Sequence, residues 1–217
     1  MKKCKYDIED PIVWKAGEIE EGYQTDISYF QEARATINSG ILSEAGYERF
    51  CNKYSVSSFV DTIIYHSYID HYDYSMFSSN SSMWRSRDVD ESLEKSDGLI
   101  RFMLYDTDFS LGTHFDYTHY PKLISDFKAS STLKYLFENA QFLELLKTRV
   151  AELIPQFSSQ ECRDMVTNYF NKIEPLIQQN NIRHYGSVGT SYVKMWNTLI
   201  EYLENRGSYY LTFIEEL

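Results

Sequence analysis

The sequence has little cysteine and little glycine: three and nine residues among 217. Cys4, Cys51 and Cys162 lie too far apart for a zinc site, and an odd number disfavours a full disulfide framework. We therefore expect three reduced thiols. None has a histidine and an acid nearby in sequence, which argues against a thiol nucleophile. Glycine forms neither a glycine-rich phosphate loop nor a G-x-S-x-G elbow.

The chain also lacks a long apolar run and an excess of basic residues. No apolar stretch approaches the roughly 18 residues of a spanning helix, so no membrane span is predicted. The N-terminus, MKKCKYDIEDPIVW, has basic residues without an apolar stretch behind them, which argues against a signal peptide. The 32 acidic residues exceed the 21 basic ones, and the net charge is −11. Such a chain is not expected to bind nucleic acid, but it is complementary to a basic protein.

What is present is a hydrophobic fraction of 43% and an aromatic fraction of 16%, enough for a buried core. Residues 1–24 are expected to be irregular. Helical periodicity then recurs over 25–40, 43–54 and 55–72, and again from residue 131 to the end. The loop at 113–130 is expected to be irregular.

One β-hairpin is predicted between the helical regions. SSMWRSR and LIRFMLYD are strand-like, and Asp97-Gly98 is typical of a hairpin turn. Near the C-terminus, Arg206-Gly207 is expected to separate two helices. The predicted fold class is therefore mainly α (α+β), a helical bundle with one small β-hairpin.

The stretch RFMLYDTDFSLG ends an apolar strand with two acids, Asp106 and Asp108. An Asp after a strand often only starts a turn. The alternative is that a hard cation such as Mg²⁺ cancels the repulsion between the two carboxylates. If the hairpin folds back, Asn80 and Asp106 can share that cation, and Asp73 lies near it as a proton acceptor. Kinases use this arrangement for phosphoryl transfer, although Asp73 and Asn80 also read as ordinary turn residues.

The histidines give weaker signals. His114, Asp116 and His119 form a local cluster, but their spacing matches no standard transition-metal site. His66 and His71 are five residues apart, which on a continuous helix places them on different faces. We interpret both as structural.

The string SVSSFVDTIIYHSYIDHYDY, followed by NSSMWRSR and DGLIRFMLYDTDFSLG, resembles the CotH family of spore-coat and secreted kinases. The resemblance runs from about residue 25 to the C-terminus, and its most specific part is the acid-pair motif. It implies the C-terminal lobe of an atypical protein kinase that phosphorylates Ser on protein substrates, with ATP and Mg²⁺ or Mn²⁺ as cofactors. It also implies a spore-coat or cell-surface location.

Residue by residue, the resemblance implies a role for each candidate. Asp73 matches the catalytic Asp. Asn80 and Asp106 match the metal ligands, with Asp108 as a neighbouring ligand. Arg85 matches the Arg of the W-R strand, a contact to the nucleotide phosphates or a structural residue.

The sequence departs from the family pattern in several places. His71 replaces an Asn before the catalytic Asp, two extra residues separate Asp73 from Asn80, and Ser110 replaces a Gly. The phosphate-gripping Lys and its acidic partner are expected in an N-terminal lobe. Lys15 with Glu18 or Glu20 lies in the right direction, but no strand pattern surrounds them.

These departures set the predicted domains and leave three functions open. Residues 1–24 are predicted to be a remnant of, or linker from, a missing N-terminal lobe, and residues 25–217 to form the kinase-like C-terminal lobe. The chain is then a Ser kinase acting on a basic, Ser-rich protein, a binding or structural module that has lost catalysis, or a metal-dependent phosphohydrolase. The oligomeric state stays open.

Overall fold

A computed structural model describes residues 8–217, which form a mainly helical protein with one small sheet. Three of the helices begin at a residue whose side chain caps them: Ser43, Asn139 and Ser159 accept hydrogen bonds from the first turns of their helices. The α-helices are α1 (Ile27–Ala35), α2 (Glu44–Cys51), α3 (Val56–Tyr68), α4 (Lys122–Ala129), α5 (Lys134–Glu138), α6 (Ala140–Phe157), α7 (Gln160–Tyr185) and α8 (Ser191–Glu215).

The strands are β1 (Pro11–Lys15), β2 (Glu18–Glu21), β3 (Ser82–Ser86) and β4 (Arg101–Met103). They form one antiparallel sheet in the order β2-β1-β3-β4. Lys15 pairs with Ser82, and Ser82 pairs with Met103. The end of β1, the start of β3 and the end of β4 therefore lie at the same edge of the sheet.

The predicted antiparallel pairing of β3 with β4 is confirmed, but it is only half of the sheet. Asp97-Gly98 does not form a tight turn between the two strands, because residues 87–100 connect them, and β4 ends at Met103 instead of Asp106. The expectation that residues 1–24 are irregular is wrong for 11–15 and 18–21, which form β1 and β2. The signal in β1 is an alternation of buried Ile12 and Trp14 with half-buried neighbours, too short to stand out in sequence. Residues 1–7, with Cys4, lie outside the described part of the chain.

Two other expectations differ from the structure. The segment 113–130 contains α4, whose apolar Leu123, Ile124 and Phe127 are buried. The expected break at Gly207 is absent, because α8 continues through it. A Cβ on Gly207 would lie 2.1 Å from the Ser158 hydroxyl oxygen, so glycine here permits close packing of α8 against the end of α6.

Aromatic rings build the core between α2, α3, α6 and the sheet. Neighbouring ring centroids lie 5.1–6.4 Å apart, and half of the pairs are edge to face, which is a favourable geometry for aromatic pairs. The rings of this cluster are Phe50, Tyr54, Phe59, Phe77, Phe102 and Phe142.

No helix among residues 8–217 is long and apolar enough to cross a membrane.

A buried arginine joins α8 to the loops that leave α3 and precede α4. Arg206 is fully buried and donates hydrogen bonds to four backbone carbonyls. Its guanidinium also lies 4.0 Å from the buried carboxylate of Asp70. The four acceptors are the carbonyl oxygens of Ser67, Tyr68, Tyr117 and His119.

Replacing Arg206 by Met is expected to lower the free energy of unfolding by about 3–5 kcal/mol, because it leaves four carbonyls without their donor and removes the cation beside the buried carboxylate of Asp70. Urea unfolding measures the loss. Arg183→Met on exposed α7 is the matched control and is expected to change stability by less than about 0.5 kcal/mol. Equal stability of the two variants would contradict the role assigned to Arg206.

Candidate active site

The common edge of the sheet brings together residues that are far apart in sequence. Lys15 ends β1, Asn80 lies just before β3, and Asp106 lies just after β4. The backbone N–H of Ala16 donates to the carbonyl of Ser81 at 3.0 Å, which extends the β1–β3 pairing to this edge. The antiparallel register therefore assembles the candidate site.

Backbone hydrogen bonds attach the segment after α3 to the segment after β4. The N–H of Tyr72 donates to the carbonyl of Phe109, and the N–H of Leu111 donates to the carbonyl of Ile69, both at 2.9 Å. These bonds place Asp73 beside the loop that carries the acid pair. We name residues 105–113 the acid loop.

Asp73 and Asn80, seven residues apart, are in direct contact. The Asn80 side-chain Nδ2 donates to Asp73 Oδ2 at 2.7 Å, so the two extra residues between them do not keep the side chains apart. The contact uses the amide nitrogen of Asn80 and leaves its carbonyl oxygen for another partner. Asn80 and Asp106 have positive φ angles, 54° and 47°. Such backbone conformations are costly for residues other than glycine and cluster at functional sites.

His71 lies beneath this pair. Its Nε2 is 3.0 Å from Asp73 Oδ1, but neither atom has a well-aligned hydrogen bond, so we treat the contact as electrostatic. Burial lowers the pKa of His71, and the negative charges of Asp73, Asp106 and Asp108 oppose that shift. All three acids thus act on the same imidazole.

The expectation that His66 and His71 lie on different faces is wrong. Helix α3 ends at Tyr68, and the chain turns so that the His71 N–H donates to the His66 carbonyl at 3.1 Å. The two Nδ1 atoms are 2.9 Å apart. If His71 Nε2 carries its proton towards Asp73, its Nδ1 accepts, and His66 Nδ1 is then the donor. Burial, with the nearby His71, lowers the pKa of His66 to about 3.

The acid pair itself is exposed. Within residues 8–217, neither Asp106 nor Asp108 has a hydrogen bond or an ion pair. No three His, Cys, Asp or Glu side chains of this part of the chain form a metal site by themselves. The donors do fit a hard cation: two unpaired carboxylates and the carbonyl of Asn80 supply oxygen ligands, and Mg²⁺ ordinarily completes its shell with water and phosphate oxygens.

A lysine–glutamate pair borders the same site. Lys15 Nζ lies 3.7 Å from Glu20 Oε1 and 4.2 Å from the centroid of the Tyr105 ring. A hydrogen bond with Tyr105, and then the charge of Glu20, raises the pKa of Lys15. Lys15 is therefore cationic at neutral pH and adjoins the acid loop. The sequence indicates Lys15 and Glu20 as candidates but does not predict the strands β1 and β2 that position them.

The structure does not bring Arg85 to this cluster. It pairs with Ile12, three positions along β3 from the site edge, and its guanidinium stacks on the ring of Tyr29 at 3.8 Å. Its Nε is buried without a hydrogen bond. This geometry favours a structural role, and contact with a nucleotide stays a prediction.

The local cluster predicted just after the acid loop does not converge on one point. Its members are His114, Asp116 and His119. His119 Nδ1 bonds the buried carboxylate of Asp70 at 2.6 Å, whereas the His114 ring stacks on Tyr72 at 4.3 Å. Asp116 accepts from the N–H and hydroxyl of Thr118. Each residue thus has its own local partner.

Comparisons with known proteins give one match. The model of the family described as CotH kinase protein matches residues 2–210, which is nearly the whole chain. No curated protein and no solved structure matches the chain.

The pKa of His66 gives a prediction on stability. Between the ordinary pKa of about 6.5 and the folded value of about 3, only the unfolded state binds this proton, so the free energy of unfolding falls as pH decreases. From pH 7 to pH 5, His66→Gln is expected to lose up to about 2 kcal/mol less than the parent protein. Urea unfolding at both pH values measures this.

His184→Gln, at the exposed end of α7, is the control and should keep the parent pH dependence. Identical slopes for the parent and His66→Gln would show that His66 already titrates normally in the folded protein.

Proposed function

The chain belongs to the CotH kinase protein family, and from that premise we propose that it transfers the γ-phosphoryl group of Mg-ATP to Ser hydroxyls of a protein substrate. One observation carries the proposal: a single edge of the sheet gathers the Lys15–Glu20 pair, the Asp73–Asn80 pair and the acid loop. Positioning and electrostatic stabilisation supply most of the catalysis in phosphoryl transfer, and these residues provide both.

Asp73 is the proposed general base. Its Oδ1 is buried beside His71, whereas its Oδ2 accepts from the Asn80 amide and keeps a further lone pair that can accept from a substrate hydroxyl. As the Ser oxygen forms its bond to the γ-phosphorus, the bond from that phosphorus to the bridging oxygen of ADP breaks. The hydroxyl proton passes to Asp73. His71 supports the carboxylate from below without competing for this proton, because its burial keeps the imidazole neutral.

Asn80, Asp106 and Asp108 are the proposed ligands of the divalent cation. When bound, Mg²⁺ or Mn²⁺ supplies positive charge that neutralises the phosphate chain. The amide of Asn80 offers an oxygen without adding a third negative charge. Asp106 and Asp108 have no competing partner in residues 8–217, so binding costs no existing ion pair.

Lys15 is the proposed phosphate contact on the nucleotide side. Glu20 and Tyr105 hold its ammonium group at the site edge, and the raised pKa keeps it charged. This pair favours a kinase over a module that has lost nucleotide binding, because the latter has no need for a positioned cation beside the acid loop. It likewise favours ATP as the phosphoryl donor over hydrolysis of a simple phosphate ester.

The proposed substrate is a basic, Ser-rich protein. The net charge of −11 attracts a basic partner, and the exposed acids of the site place part of that charge at the point of reaction. A spore-coat or cell-surface protein is the expected class, in keeping with the family.

The acid loop gives a test of nucleotide binding. Millimolar Mg-ATP is expected to raise the melting temperature of the parent protein, because a ligand that binds only the folded state stabilises it. Asp106→Ala should abolish the shift, and Asp164→Ala on exposed α7 should retain it.

With a basic Ser-rich peptide, Asp73→Asn should lower labelled-phosphate incorporation by about 10²–10⁴-fold while nucleotide binding persists. Parent protein that neither binds nucleotide nor transfers phosphate would refute the proposal.

Lys15 gives a separate test of the phosphate contact. Lys15→Met is expected to lower kcat/KM for ATP by about a hundredfold, since it removes a preorganised charge from the transferring phosphate. Glu20→Gln should have a smaller effect, because the ammonium remains and only its positioning weakens. Lys172→Met on exposed α7 is the charge-matched control. Steady-state kinetics measures all three, and unchanged kinetics in Lys15→Met would remove Lys15 from the site.

A further inference from the structure

A cavity of about 780 Å³ lies against the acid loop, on the side of the C-terminal helices. Asp108 and Leu111 are on one wall, and Phe170, Trp196 and Leu199 are on the facing sides of α7 and α8. The Phe170 and Trp196 rings stack with their centroids 4.1 Å apart. The cavity therefore has a flat aromatic wall opposite a residue of the proposed metal site.

Close backbone packing fixes the acid loop to this wall. Gly112 has a φ of +91°, and a Cβ there would lie 2.7 Å from a side-chain carbon of Thr198 on α8. Only glycine allows both the backbone conformation and the approach. The distance between the acid loop and α8 is thus set by contact, so the cavity is part of the same framework as the proposed catalytic residues.

The helices that form the far wall leave apolar surface uncovered. Although α7 has 26 residues, none is buried. Met165, Leu176, Ile182 and Met195 are each more than half exposed. Exposed apolar surface of this extent typically marks an interaction site.

A smaller hollow of about 220 Å³ adjoins the cavity and shares Gly112 and Thr198 with it. Asp116 and Glu201 contribute carboxylates to its lining. Hydrogen bonds from Thr118, its hydroxyl first, lower the pKa of Asp116, so this acid is ionised at neutral pH. An apolar cavity thus lies next to a negatively charged one.

We propose that the cavity and the hollow together form a docking site for an extended segment of the protein substrate. A bulky apolar side chain enters the cavity, and a neighbouring basic side chain meets Asp116 and Glu201. The inference rests on the proposed kinase function and adds to it an apolar specificity determinant. Two observations select this occupant: the acid loop is a wall of the cavity as well as the proposed site of transfer, and the hollow is complementary to a positive charge.

The geometry disfavours a nucleotide base as the occupant. Lys15, the proposed phosphate contact, reaches the acid loop at Tyr105, whereas the cavity is lined by residues 107, 108 and 110–113 of that loop. The cavity adjoins the hollow, whose carboxylates would repel a polyphosphate. A peptide can lie along both and still present its Ser hydroxyl to Asp73.

Binding of peptides without an acceptor hydroxyl tests the docking site apart from phosphoryl transfer. The probes are fluorescein-labelled 12-residue peptide pools with Ala at the central position, in which one flanking position is fixed as Phe or Ala and another as Arg or Glu. Fluorescence anisotropy should show that the best Phe pool binds about tenfold more tightly than its Ala counterpart. Arg should exceed Glu in the same way, and Glu201→Gln should reduce that preference.

Two variants probe the cavity by opposite changes. Trp196→Ala removes the aromatic wall, and Ile177→Trp fills the space from α7; both should abolish the preference for Phe. Ile182→Trp adds the same bulk on α7 outside the cavity lining and should preserve it. Circular dichroism and melting temperature identify any variant that fails to fold, in which case the other cavity variant decides.

Equal binding of the Phe and Ala pools by the parent protein would overturn the docking site. So would loss of Mg-ATP binding in Ile177→Trp with peptide preference intact, since the cavity would then hold the nucleotide. Failure of phosphate transfer is a different outcome: parent protein that selects Phe and Arg peptides but never phosphorylates them would overturn the proposed function and leave the docking site supported.

Discussion

The candidate site depends on the antiparallel pairing of β3 with β1 on one side and β4 on the other. Because neighbouring strands run in opposite directions, the chain leaves β1 and β4 at the edge where it enters β3. Lys15, Asn80 and Asp106 meet there although they come from three separate parts of the sequence. A slip of one residue in either pairing would reverse the faces of the strand and disperse these side chains. The buried Ile12 and Trp14 oppose such a slip, since it would move them to the half-buried face of β1.

The carboxylates of the site and the histidines beneath them differ in burial. Asp106 and Asp108 are exposed, and the half-buried Asp73 is held by Asn80. Beneath them, His66 and His71 are buried and favour the neutral form. The protein therefore leaves the mutual repulsion of three carboxylates largely uncompensated, apart from Lys15 at the border. A divalent cation carrying a polyphosphate is the complement that this charge distribution favours, which agrees with membership of the CotH kinase protein family.

The acid loop has a different neighbour on each side, and this is why the two proposals are connected. At Tyr105 it touches the lysine on β1, and at Gly112 it touches α8. The proposed nucleotide contact and the proposed substrate groove are thus fixed to the same short segment. Arg206 lies in the core and bonds α8 to the end of α3 and to the segment that follows the acid loop. It thereby fixes the position of α8 relative to the acid loop.

Periodicity and contiguous motifs are local properties, so the amino-acid sequence predicts the helical character, the pairing of β3 with β4, the family resemblance and the short motif with Asp106 and Asp108. Contacts in the folded chain are needed to show that residues 11–15 and 18–21 are strands, that Lys15 pairs with Glu20, that His71 contacts His66, and that Arg85 stacks on Tyr29 away from the acids. Strands of four or five residues carry too few positions for periodicity to identify them. Their pairing, and the convergence of side chains that follows from it, depends on contacts between segments distant in sequence.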